Sequence, residues 1–341
     1  MKIGVLTGGG DCPGLNAVIR AIVKRAERNG DSVLGIKNGW AGLAGGLVEP
    51  LTDFSVIGIL PRGGTILGTS RTNPFKSQES VQKCQANFKR YALDGIVAIG
   101  GEDTLGVARR FHDIGLPVVG CPKTIDNDLP GTDQTFGFDT AVNIAMEAID
   151  RLHSTAESHH RIMVVEVMGR ESGWIATVAG IAGGADYVVV PEEPYDVAEI
   201  ARVLKRRHDR GKGFSIVVVA EGAVPKGGRA VTQDDSLDEF GHVRLGGVGS
   251  IIARDLQQHT GIETRVTMLG YVQRGGTPSA LDRVLATRYG LRAYDLVKAK
   301  KFGRMVSLQG LKVTDVPLPD AEAGKRTLDM ELYRDAEVFF G

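Results

Sequence analysis

Apolar positions in this chain fall into short unbroken runs set between stretches of helical periodicity. Lys2 to Leu6 is the first run, and it ends in Thr7-Gly8-Gly9-Gly10. After it Leu15, Val18, Ile19, Ile22 and Val23 recur at helical spacing, so the order is strand, glycine turn, helix. The order then repeats. Gly95–Ile99 leads to Gly100-Gly101 and a helical stretch over Thr104–His112. Leu116–Gly120 leads to Pro122-Lys123-Thr124, and Arg161–Val167 leads to Gly169 and an alanine-rich helix reaching Ile181. Tyr187–Val190 and Ser215–Val219 read as further buried strands. Continuous apolar strands alternating with helices predict mainly parallel sheets covered by helices, an α/β fold. Gly10 and Gly14 bracket one turn, and Gly169 and Gly173 bracket another at the same spacing. That is either an echo between two lobes or coincidence in a glycine-rich chain. Gly227–Gly249 is polar, charged and rich in glycine, which predicts a surface excursion. No proline-rich linker marks a boundary, so the lobes are expected to exchange segments.

Composition sharpens this picture at one point. The chain has 341 residues and 46 glycines, well above the roughly 7% of an average protein. Glycine weakens helices and strands, so an excess needs a local reason. No Gly-X-Y period is present, which excludes collagen. Hydrophobic residues at 42% and charged residues at 24% are ordinary for a globular chain. At this length two domains or lobes are the usual outcome. Lys+Arg and Asp+Glu are both 41, so no general attraction to nucleic acid or an anionic membrane is expected. Cys12, Cys84 and Cys121 are odd in number and lack CxxC spacing, against a disulfide framework or structural zinc. No apolar run reaches the length of a membrane span and no signal peptide is visible, so a cytoplasmic setting is expected.

Four constellations carry candidate chemistry. Gly8–Asn16 reads GGGDCPGLN: glycines admit a bulky anion, and a helix N-terminus behind them offers N–H groups. It is neither a Walker A loop nor GxGxxG. It reads as a phosphate or nucleotide cradle, or as a tight strand–helix turn. Gly100-Gly101-Glu102-Asp103-Thr104 puts two adjacent carboxylates in a glycine turn, which suits a cation such as Mg²⁺ or a solvated N-cap. Pro122–Asp128 offers an Asp as base or metal ligand and Lys123 as a point cation for phosphate, or else an Asx-turn loop. Arg62, Arg71, Arg161, Arg170, Arg265 and Arg274 stand beside glycine turns, and Arg170 and Arg274 also adjoin apolar strands. The seven histidines lack metal-ligand spacing. Glycine cradle, metal acid, base and phosphate-facing cations together suggest phosphoryl transfer.

GGGDCPGLN, GGEDT, PKTIDND, MGR and LGYVQRGGTPSALDR stand in an order and spacing that resembles the 6-phosphofructokinases over nearly the whole chain. The resemblance implies two Rossmann-like lobes with the active site in the cleft between them. Residues 1–137, with 278–326 returning, would form the phosphoryl-donor lobe, and 138–277 with 327–341 the sugar-phosphate lobe. It implies that Gly10 lies at the donor, Arg71 neutralises donor phosphates, and Glu102 holds Mg²⁺ where the family has Asp. Asp126 matches the base for the sugar 1-hydroxyl, flanked by Thr124, Ile125 and Asp128. Met168, Gly169, Arg170 and Glu221 match sugar contacts, and Arg161 and Arg265 match sugar-phosphate ligands reaching in from a neighbouring subunit. Tyr271 replaces a frequent His beside Arg274; it can donate a hydrogen bond but carries no positive charge.

Asp103 and Lys123 bear on the donor. ATP-using members have glycine at position 103 and mostly glycine at position 123, so this pair looks like the pyrophosphate-dependent branch. A carboxylate at 103 would occupy and repel the space of an ATP α-phosphate, while Lys123 would attract pyrophosphate. The expected activity is Mg²⁺-dependent, reversible transfer from pyrophosphate to fructose 6-phosphate in glycolysis or gluconeogenesis, with Asp126, Asp103 and Lys123 at its centre. An ATP-dependent 6-phosphofructokinase is the alternative. A non-catalytic regulatory subunit is disfavoured because Asp126 and Glu102 are present, and a lipid or NAD kinase because the sugar motifs are. The implied partners are the two substrates and a second copy of the chain, as homodimer or homotetramer. The family's nucleotide-effector site is poorly matched: Arg20, Arg210 and Lys212 fit it, but Asp53, His153, Gly213 and Phe214 replace basic residues, which predicts weak activation by nucleoside diphosphate.

Overall fold

A computed structural model of the chain describes residues 1–234, 240, 241, 243–318 and 324–341. In chain order its first half contains β1 (Lys2–Thr7), α1 (Leu15–Arg28), β2 (Ser32–Ile36), α2 (Gly39–Gly45), β3 (Val48–Leu51), α3 (Gln78–Arg90), β4 (Gly95–Gly100), α4 (Glu102–Asp113), β5 (Val118–Thr124), β6 (Phe136–Gly137) and α5 (Phe138–His159). The second half contains β7 (Ile162–Val167), α6 (Trp174–Ala182), β8 (Tyr187–Val189), α7 (Val197–Asp209), β9 (Ser215–Ala220), β10 (Thr232–Asp234), β11 (Arg244–Leu245), α8 (Val248–Thr260), β12 (Thr264–Met268), α9 (Ala280–Lys298), β13 (Arg304–Gln309), β14 (Lys312–Pro317) and α10 (Met330–Glu337).

Two sheets organise these elements. The larger runs β14-β13-β5-β4-β1-β2-β3, with β6 paired to β5; the smaller runs β12-β7-β9-β8. The smaller sheet is parallel throughout. The larger is parallel at its centre, but both edges, β2–β3 and β13–β14, are antiparallel. Its strands bury alternate residues on opposite faces, as a two-residue side-chain period requires. Ile3, Val5, Val97 and Ile99 join a cluster with Leu15, Ile19 and Ile22 of α1 and Tyr289 and Ala293 of α9. Leu6, Ile96 and Ala98 face the other way, toward Trp40 of α2 and Leu105 and Phe111 of α4. The smaller sheet repeats this, with Val165 and Val218 on one side and Val164 and Val217 on the other.

Register explains where chemistry can gather. Thr7 pairs with Ile99, and Gly100 pairs with Pro122, so β1, β4 and β5 end side by side. The turns after them emerge at one sheet edge, the carboxyl edge at which open α/β sheets bind ligands. In the smaller sheet Val167 pairs with Ala220 and Glu166 with Met268, so a second set of turns emerges together. The chain passes between the sheets along α5, along α9 and through 324–329.

Three local features differ from the sequence reading. Pro122-Lys123-Thr124 does not follow β5 but completes it, because Lys123 and Thr124 pair with Phe136 and Gly137. Helix α4 begins at Glu102, so Gly101 and not Thr104 takes the cap position and both acids occupy the first turn. There the helix dipole and free N–H groups stabilise adjacent carboxylates that would otherwise repel. The stretch 227–249 is more than a surface excursion: β10 and β11 pair as an antiparallel ribbon, and Val243 and Leu245 reach the cleft described next. Residues 235–239 and 242 lie outside the described residues.

Candidate active site

The two sets of turns face each other across a cleft of about 300 Å³. From the larger sheet come Gly9, Gly10, Arg71, Gly101, Glu102, Asp103, Thr104, Lys123, Thr124, Asp126 and Asp128. From the other side come Met168, Arg170, Glu221, Val243, Leu245, Gly270, Tyr271 and Arg274.

The glycine turn is held close to its neighbours. Gly8 N–H donates to the Ile99 carbonyl at 2.9 Å and Gly9 N–H to the Ser70 carbonyl at 3.0 Å. Asn16 donates to the carbonyls of Arg62 and Gly63 and accepts from Ile66 N–H, which ties the segment leading to Arg71 onto α1. A Cβ on Gly10 would lie 2.8 Å from Arg274 Nη1, so the guanidinium sits directly against this turn. Lys123 is buried beneath the same turn and donates to the Gly10 carbonyl at 2.5 Å. Burial pushes its amine below the ordinary lysine range.

Beyond Lys123 the chain turns through Asp126-Asn127-Asp128, all buried. Thr124 donates its hydroxyl to Asp126 Oδ2 at 3.2 Å and accepts from Asp126 N–H at 3.1 Å. Asp126 Oδ1 is buried with no hydrogen-bond partner among the described residues. Asn127 sits in the left-handed region with φ 54°, held by Thr135 N–H on its Oδ1 at 3.1 Å. Burial, and then the negative charge of Asp126, pushes Asp128 up to about 7. Glu221 is pushed up to about 7 for the same two reasons, although its Oε1 accepts Arg170 N–H at 3.0 Å. Arg274 reaches across to the Asp11 carbonyl at 3.3 Å. The cleft therefore joins a backbone cradle, a buried amine, several carboxylates and three guanidinium groups, a set suited to holding and transferring phosphoryl groups.

Of the residues singled out from the sequence, Gly10, Arg71, Glu102, Asp103, Lys123, Thr124, Asp126, Asp128, Met168, Arg170, Glu221, Tyr271 and Arg274 line this cleft. Ile125 and Gly169 do not: Ile125 points into the apolar core, and Gly169 is a turn residue whose Cβ would lie 2.5 Å from the Ser172 carbonyl oxygen. Arg161 and Arg265 are also outside it. Parallel pairing of β12 with β7 brings them together, and Glu263 forms ion pairs with both. Arg62 does not line the cleft either; its carbonyl anchors Asn16. Val243 and Leu245 were missed, because two apolar residues in a polar segment carry no period. No group of three or more His, Cys, Asp or Glu side chains able to hold a metal occurs among the described residues.

Known proteins resemble this chain in sequence and fold. The Phosphofructokinase family profile matches residues 2–297. The chain is 54% identical to a pyrophosphate–fructose 6-phosphate 1-phosphotransferase of Streptomyces coelicolor and 55% identical to one of Amycolatopsis methanolica, covering all of both chains in each case. It is 50% identical to an ATP-dependent 6-phosphofructokinase 2 of Streptomyces coelicolor, again over the full length of both. Among solved structures, the phosphofructokinase of Saccharomyces cerevisiae aligns with TM-score 0.81 at 32% identity, over 98% of this chain and 46% of the yeast chain. A pyrophosphate-dependent phosphofructokinase of Nitrosospira multiformis aligns with TM-score 0.84 at 20% identity, over 100% of this chain and 92% of the other, and shares the fold.

Proposed function

This chain belongs to the phosphofructokinase family, and from that premise we propose that it moves a phosphoryl group from pyrophosphate to the 1-hydroxyl of fructose 6-phosphate. The products are fructose 1,6-bisphosphate and phosphate. Pyrophosphate and the new sugar phosphate bond are similar in energy, so the reaction runs both ways. The observation that carries the donor is the pairing of Asp103 and Lys123 in one cleft. Asp103, on the first turn of α4, repels the α-phosphate an ATP would bring; Lys123, under the Gly9-Gly10 turn, attracts the inorganic donor.

In this reading the donor lies against Gly10 and Arg71, with the Lys123 amine facing its phosphates. Asp126 accepts the proton of the sugar 1-hydroxyl as that oxygen attacks the transferring phosphorus. The free, buried Asp126 Oδ1 suits this role. Thr124 and Asp128 flank the transferring group, and Met168, Arg170 and Glu221 orient the sugar. Arg274 and Tyr271 stand at the sugar phosphate, and Arg161 and Arg265 complete its site from a second copy of the chain. Residues 1–137 with 278–326 act as the donor lobe, and 138–277 with 327–341 as the sugar lobe.

The residues fit Mg²⁺ better than a metal held by the protein alone. Mg²⁺ takes one or two carboxylates and fills its octahedron with phosphate oxygens and water. Glu102 and Asp103 border the cleft beside the residues that would face the donor phosphates, which matches that demand. Glu102 would hold the ion, which would neutralise charge on the donor phosphates. Among the described residues no helix is long and apolar enough to cross a membrane, and all three cysteines are free and buried. The free cysteines support a reducing, cytoplasmic setting.

The test is an assay of fructose 6-phosphate with each donor in the presence of Mg²⁺. Turnover with pyrophosphate and little with ATP is expected; robust ATP use without pyrophosphate use would replace this reading with the ATP-dependent one.

A further inference from the structure

Among the described residues the Asp126 carboxylate accepts a side-chain hydrogen bond from Thr124 alone, so its aim depends on the backbone of the loop that carries it. That loop is supported on one side by Thr135, which donates to Asn127 Oδ1 and to the Thr124 carbonyl. Its other support comes from far along the chain. Arg326 N–H donates to the Asp128 carbonyl at 2.8 Å, and Arg326 Nη1 donates to the Asn127 carbonyl at 3.1 Å. The same guanidinium lies over the Trp174 ring, 4.3 Å from its centroid. Trp174 opens α6, directly after the turn that carries Met168 and Arg170. The segment around Arg326 is fastened on the sugar side as well. Lys325 pairs with Glu171 at 2.5 Å, and Leu328 N–H donates to Glu192 Oε1 at 3.0 Å, the carboxylate that also accepts Gly173 N–H.

We propose that Arg326 is a positioning residue: it ties the loop bearing Asp126 to the turn bearing Met168 and Arg170, so that base and sugar keep one register. At one end the backbone N–H and one guanidinium N–H hold the loop, and at the other the guanidinium makes a cation–π contact. A planar fork can serve both at once; lysine can serve only one. The inference rests on the phosphoryl transfer proposed above, but not on which donor is used.

The test uses the full chain, with wild type and variants assayed in parallel on both donors. The wild-type ratio of the two activities reports the donor; the variant-to-wild-type ratio on the active donor reports Arg326. Arg326→Ala is expected to lower kcat by roughly 10- to 100-fold while KM for the donor stays within about threefold, as for a misplaced reacting group. Millimolar guanidinium is expected to restore part of that kcat, and sodium chloride at equal ionic strength is not. Arg326→Lys, which keeps the charge and one donor, is expected to fall between, and it serves alone if the alanine variant does not fold. An unchanged kcat in either folded variant overturns the proposal. So does a loss of kcat that guanidinium leaves untouched, which would mark Arg326 as merely structural.

Discussion

At position 103 the proposed choice of donor would rest on one side chain. Asp103 stands on the first turn of α4, where its charge suits the helix N-terminus, and at the same time it borders the cleft. Asp103→Gly removes the repulsive element while leaving Lys123 in place. Pyrophosphate turnover is expected to fall by roughly tenfold and ATP turnover to rise; an unchanged donor ratio in paired assays would end the steric argument. Glu221 makes a second, pH-dependent case. Its carboxyl rises from an ordinary 4.5 to about 7 because burial and the Asp126 charge disfavour ionisation. Between those two values the folded chain keeps a proton that the unfolded chain has released. Stability attributable to this group therefore falls as pH climbs through that window and levels off above it. Glu221→Gln keeps the acceptor for Arg170 N–H and carries no charge at any pH. Its Tm is expected to exceed that of wild type at pH 8, with the gap narrowing toward pH 4.5. A gap that is the same at both pH values would mean that charge burial is not its source.

The glycine excess is explained at the scale of the turns. Gly63 and Gly276 belong to segments more than half the chain apart, yet a Cβ on Gly63 would lie 2.2 Å from the Gly276 carbonyl oxygen. That contact seats the segment leading to Arg71 against the one following Arg274. Gly63→Ala must push two backbones apart, with an expected loss of about 1–3 kcal/mol in chemical unfolding and a higher KM for both substrates. Gly45→Ala is the control: at the end of α2 its Cβ would meet only Leu47 at ordinary contact distance, and stability should hold. Units such as β1–α1 and β4–α4 were legible in the sequence because buried strands and one-sided helices print distinct periods. The edge strands β3 and β14 were not, since half-buried residues blur the alternation. The start of α4 was hidden for another reason: Gly-Glu-Asp reads equally as turn or first helical turn, and only its place after β4 decides. The inner part of the site was legible from its motifs. Val243 and Leu245 were not, because their role depends on a ribbon folding back over the cleft.

At the scale of the whole molecule, one chain accounts for most of the cleft but leaves two arginines outside it. Arg161 and Arg265 lie far apart in sequence, and parallel pairing of β7 with β12 sets them side by side with Glu263. Arg161 is part-exposed and Arg265 exposed, and in the proposed function both reach the sugar phosphate of a neighbouring chain. If they serve a neighbour's cleft, each complete site takes Asp126 from one chain and Arg265 from another. Asp126→Asn and Arg265→Ala chains, each nearly inactive alone, should then complement when dissociated, mixed and reassembled. In a dimer mixed at equal amounts, half the assemblies contain one chain of each kind. Each such assembly has one site built wholly from unaltered residues, so about a quarter of wild-type activity should return. If Arg265 instead serves its own chain's cleft, no mixed assembly contains an intact site and mixing restores nothing. Sedimentation of the mixture separates that outcome from a simple failure to reassemble. Glu263→Gln provides an internal check on the same surface. It keeps a polar neighbour for both arginines but removes the carboxylate that pairs with them, so KM for the sugar phosphate should fall while KM for pyrophosphate stays unchanged.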